Sequence, residues 1–167
     1  MVRSTARWRD DAAREPGRAV IVDIDGVLSD ASGRQHFLKN PEGRQDWRGF
    51  FGAVGSDPPL HGVPAMLELL DPEVTIVLLS ARPSWVFDLT HEWLLRHGIA
   101  WHLLVVRGDD RHLGAAEFKR GVVDHLVESG FAIELALDDD ATIVEMYRAA
   151  DIRALYVHSG YYGHPPG

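Results

Sequence analysis

Five short apolar runs, each separated from the next by a helical pattern, limit what this chain can fold into. They are Ala19–Ile24 (AVIVDI), Val74–Ser80 (VTIVLLS), Trp101–Val106 (WHLLVV), Ile133–Asp138 (IELALD) and Ile152–His158 (IRALYVH). Mostly apolar and without strict alternation, they read as strands buried on both faces. Helices are expected between them at Val63–Leu70, Pro83–His97, Ala116–Ser129 and Ala141–Ala150. In Pro83–His97, Val86, Leu89 and Trp93 share one stripe, with Pro83 placed as a first-turn residue and Gly98 as a stop. Phe118, Val122 and Leu126 step by four through the third helix, and Ile143, Tyr147 and Ala150 line the fourth. Strands alternating with helices imply right-handed crossovers, hence an α/β fold with a Rossmann-like parallel sheet and helices on both faces.

At 167 residues the chain is expected to form one folded unit. Residues 1–17, polar and ending in EPG, read as a flexible arm, 18–160 as the domain and 161–167 as a tail. Residues near 31–60 look like a small loop or cap insertion, too short for a large helical lid. The sequence has no cysteine, which excludes disulfides and thiolate-bound zinc. No apolar run is long enough to span a bilayer, and the polar start is no secretory signal; a cytoplasmic location fits. A net charge of −8 argues against a long surface gripping nucleic acid, while leaving room for a local basic pocket.

In parallel sheets ligands bind beyond the carboxyl ends of the strands, and three predicted strand ends carry polar chemistry. The first is Asp23-x-Asp25 before Gly26, a turn-former that lets backbone approach a ligand closely. The second is Ser80-Ala81-Arg82, suited to a phosphate but equally readable as a Ser80 helix cap beside a surface arginine. The third is Asp138-Asp139-Asp140, three acids that repel one another unless a cation sits among them. All-oxygen ligation favours Mg²⁺, and one of the three is free to cap the following helix instead. Lys119, early in a helix, is unremarkable alone. The nine histidines show no metal-ligand spacing. Trp85 and Trp93 read as helix core, while Trp47, Phe50 and Phe51 sit in a loop-like segment.

Taken in order, VDIDGVLSD, VLLSARP, AEFKRGVV and LALDDDATIVEMYR resemble the motifs of the haloacid-dehalogenase (HAD) superfamily, across about residues 19–160. Within it the chain is similar to the phosphatase domain of bacteriophage-type polynucleotide kinase-phosphatases. Arg82 matches that family's S-G-R arginine, and Arg34 matches an arginine shortly after its D-x-D motif. Asp140 stands where an arginine usually follows the acidic pair, and AAEFK replaces a more acidic run before the lysine. No phosphate-binding kinase loop occurs.

The resemblance implies a HAD-type phosphatase with minimal or no cap domain. Asp23 would be the nucleophile and Asp25 the general acid and base. Gly26, Ser80, Ala81, Arg82 and Lys119 would hold the phosphate, and Arg34 the substrate. Mg²⁺ would sit on Asp23, the Asp25 main-chain carbonyl, Asp138 and Asp139. An acid at position 25 separates phosphatases from dehalogenase and phosphonate-cleaving relatives, so a phosphoester is expected. The leading substrate is the 3′-phosphate end of DNA or RNA, with basic residues Arg34, Lys39, Arg44 and Arg48 placed to hold the strand and Trp47 and Phe50 as candidate base-stacking rings. The alternatives are a phosphatase for nucleotides or other small phosphoesters, and a non-catalytic phosphate-binding or partner-docking module.

Overall fold

The computed structural model describes residues 3–10, 13–39, 43–108 and 113–162. Six strands form one sheet: β1 (Ser4–Trp8), β2 (Arg18–Val22), β3 (Thr75–Pro83), β4 (Leu103–Arg107), β5 (Ala132–Asp138) and β6 (Ala154–Tyr156). Their spatial order is β1-β4-β3-β2-β5-β6. The pairs β2–β3, β2–β5, β3–β4 and β5–β6 are parallel, as expected, whereas β1 runs antiparallel to β4.

That edge strand corrects the expectation of a loose arm. Its sequence, STARW, has no apolar run to signal burial. What holds it is a ladder from Ser4↔Arg107 to Trp8↔Leu103, the Trp8 ring stacked 6.3 Å from Phe131, and Arg7 lying 5.0 Å over the Phe87 ring. The ladder and the ring contacts are long-range, so no local pattern announces them.

Among the described residues five α-helices lie between the strands: α1 (Trp47–Gly52), α2 (Gly62–Leu67), α3 (Phe87–Arg96), α4 (Ala115–Glu128) and α5 (Ala141–Arg148). Strand alternation sends Ala19 and Ile21 to one face of β2, where Phe118, Val122 and Leu126 of α4 and Ile143 and Tyr147 of α5 cover them. Val20 and Val22 point the other way, into a second core with Trp93 and Leu94 of α3, Leu67 of α2 and Trp101. The α3 region departs from expectation in a way that matters later. Pro83 ends β3 instead of starting a helix, and a 3₁₀ turn at Ser84–Val86 intervenes before Phe87. The rotated register buries Phe87, Thr90, Trp93 and Leu94, and leaves Leu89 and Trp85 exposed.

Between Ile24 and Val74 the described residues make only short elements: a 3₁₀ helix at Ala31–Phe37, α1, a 3₁₀ turn at Val54–Ser56, and α2. Trp93 ties this insertion to α3, its buried Nε1 donating to the Asp57 carbonyl at 2.7 Å. None of the described helices is long and apolar enough to cross a membrane.

Phe118 is fully buried and immediately precedes Lys119 on α4. Phe118→Ala is expected to lower the unfolding free energy by about 3–5 kcal/mol, measured by urea denaturation.

Candidate active site

The end of β2 is where charge enters the core. Asp23 still belongs to the ladder, its N–H donating to the Leu137 carbonyl at 2.9 Å. The chain then folds back tightly, with the N–H groups of Leu28 and Ser29 both donating to the Ile24 carbonyl at 2.9 Å. Gly26 sits in this turn at φ +76°, a conformation that favours glycine. Leaving the strand between them lets Asp23 and Asp25 enter different surroundings, although strand alternation alone would aim both the same way.

Asp23 joins a buried cluster. Lys119 Nζ donates to Asp23 Oδ1 at 2.7 Å and to Asp138 Oδ2 at 2.6 Å. Asp138 ends β5 and Lys119 lies one turn into α4, so three elements meet here. Asp139 completes the group: Asp23, Asp138 and Asp139 offer carboxylate oxygens within 4.8 Å of one another. Asp139 Oδ2 is buried with no hydrogen-bond partner. A Cβ at Gly26 would meet that oxygen at 2.1 Å, so glycine is what lets Asp139 enter the cluster.

Asp25 is held among arginines instead. Arg34 Nη2 donates to its Oδ1, Arg82 Nη2 does so at 2.6 Å, and Ser29 Oγ donates to the same oxygen at 3.2 Å. Both guanidiniums are almost fully buried. Arg82 is braced by donating to Thr90 Oγ1 at 3.0 Å. Arg34 is gripped by Asp57, which accepts from Nε at 2.8 Å and Nη2 at 2.7 Å, and its guanidinium lies 4.3 Å over the Phe50 ring.

The two groups differ in charge balance. Two arginines face two carboxylates, Asp25 and Asp57, around the first; in the second, one ammonium faces three carboxylates. The acidities follow. Burial pushes the Asp23 carboxyl well above the ordinary range; Lys119 opposes this, and Asp138 and Asp139 add to it. Burial pushes Asp139 up to about 7, with a Ser159 hydrogen bond opposing and Asp138 assisting. Burial alone would weaken the Lys119 ammonium, but Asp138 and Asp23 outweigh it and hold the proton firmly. For Asp25 burial is overcome by Arg82 and Arg34, which keep it well below the ordinary carboxylate range.

The sequence-predicted residues thus divide. Asp23, Lys119, Asp138 and Asp139 come together, and Asp25, Arg34 and Arg82 form the adjoining group. Arg82 is no surface residue, being 1% exposed. Ser80 caps no helix; its buried hydroxyl accepts from the Arg82 N–H at 3.3 Å. Ala81 lies between them, packed on the α4 side of the sheet. Gly26's N–H, expected to face a phosphate, donates to the Ser29 carbonyl at 2.9 Å, because the turn closes on itself. Asp140 is the acid that caps α5, accepting from the Thr142 N–H at 2.8 Å. Asp57, Ser29 and Thr90 escaped the sequence reading. Asp57 lies in GSDPP, which signals only a turn, and its pairing with Arg34 spans 23 positions.

Removing the ammonium would strand buried carboxylates. Lys119→Met is expected to cost about 3–5 kcal/mol near neutral pH in metal-free buffer, with a smaller loss in acid as those carboxylates take up protons. Urea denaturation across pH measures both.

The family model described as the polynucleotide kinase PNKP phosphatase domain matches residues 17–162. No curated protein matches the chain. Among solved structures, a chain of the Pnkp1/Rnl/Hen1 RNA repair complex superposes with a TM-score of 0.71 at 22% identity, covering 87% of this chain and 43% of that one. A second structure of the Pnkp1/Rnl/Hen1 complex gives the same score and identity, with 92% and 49% covered, so this chain spans less than half of those chains. The class C acid phosphatase from Bacillus anthracis follows with a TM-score of 0.63 at 18% identity, over 90% of this chain and 70% of that chain. These structural likenesses share the fold, and the family match runs from the residue before β2 to beyond β6, taking in every parallel strand. The chain therefore belongs to the PNKP phosphatase-domain family, a HAD-type phosphatase-domain family.

Proposed function

We propose that the chain is a Mg²⁺-dependent phosphomonoesterase that forms an aspartyl-phosphate on Asp23 and acts on the 3′-phosphate end of a polynucleotide. The observation that carries this reading is the contrast between the two aspartates of the D-x-D pair. One sits in an over-acidic, lysine-bridged cluster; the other sits in an arginine cradle beside it.

The over-acidic cluster fits a divalent cation. Three buried carboxylates against one ammonium leave two negative charges unbalanced, and Asp139 Oδ2 has no partner. All donors are oxygen, which suits Mg²⁺. Asp23, Asp138 and Asp139 would hold it, with the Asp25 main-chain carbonyl as the expected further ligand. Bound there, the cation would keep Asp23 ionised and offset its repulsion of a phosphate dianion.

The chain's own groups do the rest. An Asp23 oxygen attacks phosphorus as the ester oxygen leaves, and Asp25 delivers a proton to that oxygen. Asp25 then takes a proton from water; the water oxygen bonds to phosphorus, and the bond to Asp23 breaks, releasing inorganic phosphate and restoring both acids. Lys119 stabilises charge on Asp23 and on the phosphoryl oxygens. In the free geometry Asp25 is held ionised by Arg34 and Arg82. An arriving phosphate dianion competes for those guanidiniums, and releasing them from Asp25 makes that carboxyl able to carry the proton. The same exchange places Arg34 and Arg82 on the substrate, as their motif positions imply.

A polynucleotide end is favoured by family membership and by an insertion whose described residues form short helices and not a large helical lid. The likeness to chains of an RNA repair complex adds an RNA end to the substrates worth testing. The net charge of −8 favours a small phosphoester instead. Hydrolysis of 3′-phosphorylated oligonucleotides is expected to exceed that of a mononucleotide panel in kcat/KM; activity confined to mononucleotides would contradict the polynucleotide reading. Asp25→Asn is expected to lower kcat about 10²–10⁴-fold.

Metal and protons compete at Asp139. Its folded pKa, about 7, lies above the unfolded carboxyl value of about 3.9, so ionising it costs stability as pH rises through that window. Excess Mg²⁺ is therefore expected to raise Tm more at about pH 8 than at about pH 5. An equal gain at both values, by thermal melts, would contradict that site.

A further inference from the structure

We infer that the exposed indoles of Trp47 and Trp85, with Arg48 beside them, form a subsite that stacks unpaired bases of the strand whose phosphorylated end enters the site. This rests on the polynucleotide reading above and narrows it to single-stranded ends.

Trp47 and Trp85 are 48% and 49% exposed, although each belongs to an ordered element. Trp47 opens α1, whose start is fixed by Asp46 accepting from the Gly49 N–H at 2.8 Å. Trp85 is the middle residue of the 3₁₀ turn that joins β3 to α3. Each is tied to the arginine cradle through a neighbour. The Trp47 ring meets Phe50 edge-on at 5.8 Å, and Phe50 in turn lies under Arg34. Trp85 follows Arg82 by three positions. The Trp47 indole therefore stands on α1, which places Phe50 under Arg34, and the Trp85 indole on the turn that follows the strand carrying Arg82. Arg48 links them, its guanidinium 5.7 Å from the Trp85 ring while its neighbour Trp47 stacks on Phe51.

Chemistry points to bases as the occupant. Exposed aromatic faces beside an arginine stack the π-faces of any nucleobase, with little sequence preference. Among the described residues 43–52, the exposed Arg44 and Arg48 outnumber one acid, Asp46, whose carboxylate caps α1. The patch is thus locally basic on an acidic chain, as a strand-holding surface requires. Phe50, expected from sequence to stack bases, is only 6% exposed; it supports Arg34 and leaves stacking to the two tryptophans.

The test compares kcat/KM for 3′-phosphorylated single-stranded DNA and RNA oligonucleotides with kcat/KM for p-nitrophenyl phosphate, all with Mg²⁺. In Trp85→Ala, and more so in the Trp47→Ala/Trp85→Ala double variant, the oligonucleotide-to-aryl ratio is expected to fall about tenfold or more, through KM. An unchanged ratio for both DNA and RNA would overturn the inference; a fall with one of them identifies the strand. Fluorescence anisotropy with an unphosphorylated single strand reads the surface without catalysis. If the wild type cleaves only the aryl phosphate, the polynucleotide reading fails, and absence of strand binding then overturns the subsite as well. Strand binding that weakens in Trp85→Ala would sustain the subsite on its own.

Discussion

Eight charged side chains are drawn wholly or partly out of water at one end of this sheet, and each must find compensation or fold at a cost of several kcal/mol. Asp25, Arg34, Asp57 and Arg82 compensate one another almost completely. Asp23, Asp138, Asp139 and Lys119 do not, and they retain an excess of negative charge. A folded protein tolerates such an imbalance where function needs it. Here the uncompensated group lies at the carboxyl ends of β2 and β5, where parallel sheets bind their ligands.

The division depends on a tight turn. Had β2 continued through Asp25, both aspartates would share one face and one environment. Instead the ladder ends at Asp23, the chain closes on the Ile24 carbonyl, and Asp25 is carried toward the insertion that supplies Arg34 and Asp57. Gly26 serves the turn through its positive φ and serves Asp139 by leaving space where a methyl group would collide. One glycine thus joins the geometry of both groups. Its main-chain N–H is consumed by the turn, donating to the Ser29 carbonyl.

Much of this was legible in the sequence because it follows local rules. Apolar runs marked the five parallel strands, apolar stripes at helical spacing marked α4 and α5, and the charged residues stood out at strand ends. The parts that escaped depend on distant partners. Edge strand β1 is polar and held by its neighbour β4 and by Trp8 on Phe131. Asp57 looks like a turn acid until Arg34 is placed against it. Trp85 read as core because a helix was begun at Pro83; extending β3 through Pro83 shifted the register and turned the indole outward. The same shift buried Thr90, which steadies Arg82.

Trapping the phosphorylated protein tests the central claim most directly. Rapid acid quenching during turnover of a ³²P-labelled 3′-phosphorylated oligonucleotide, followed by peptide mapping, reports where the phosphoryl group rests. Label on the peptide that contains Asp23, absent from Asp23→Asn, is the predicted result. A turning-over enzyme with no covalent label, or label that persists in Asp23→Asn, would contradict the account.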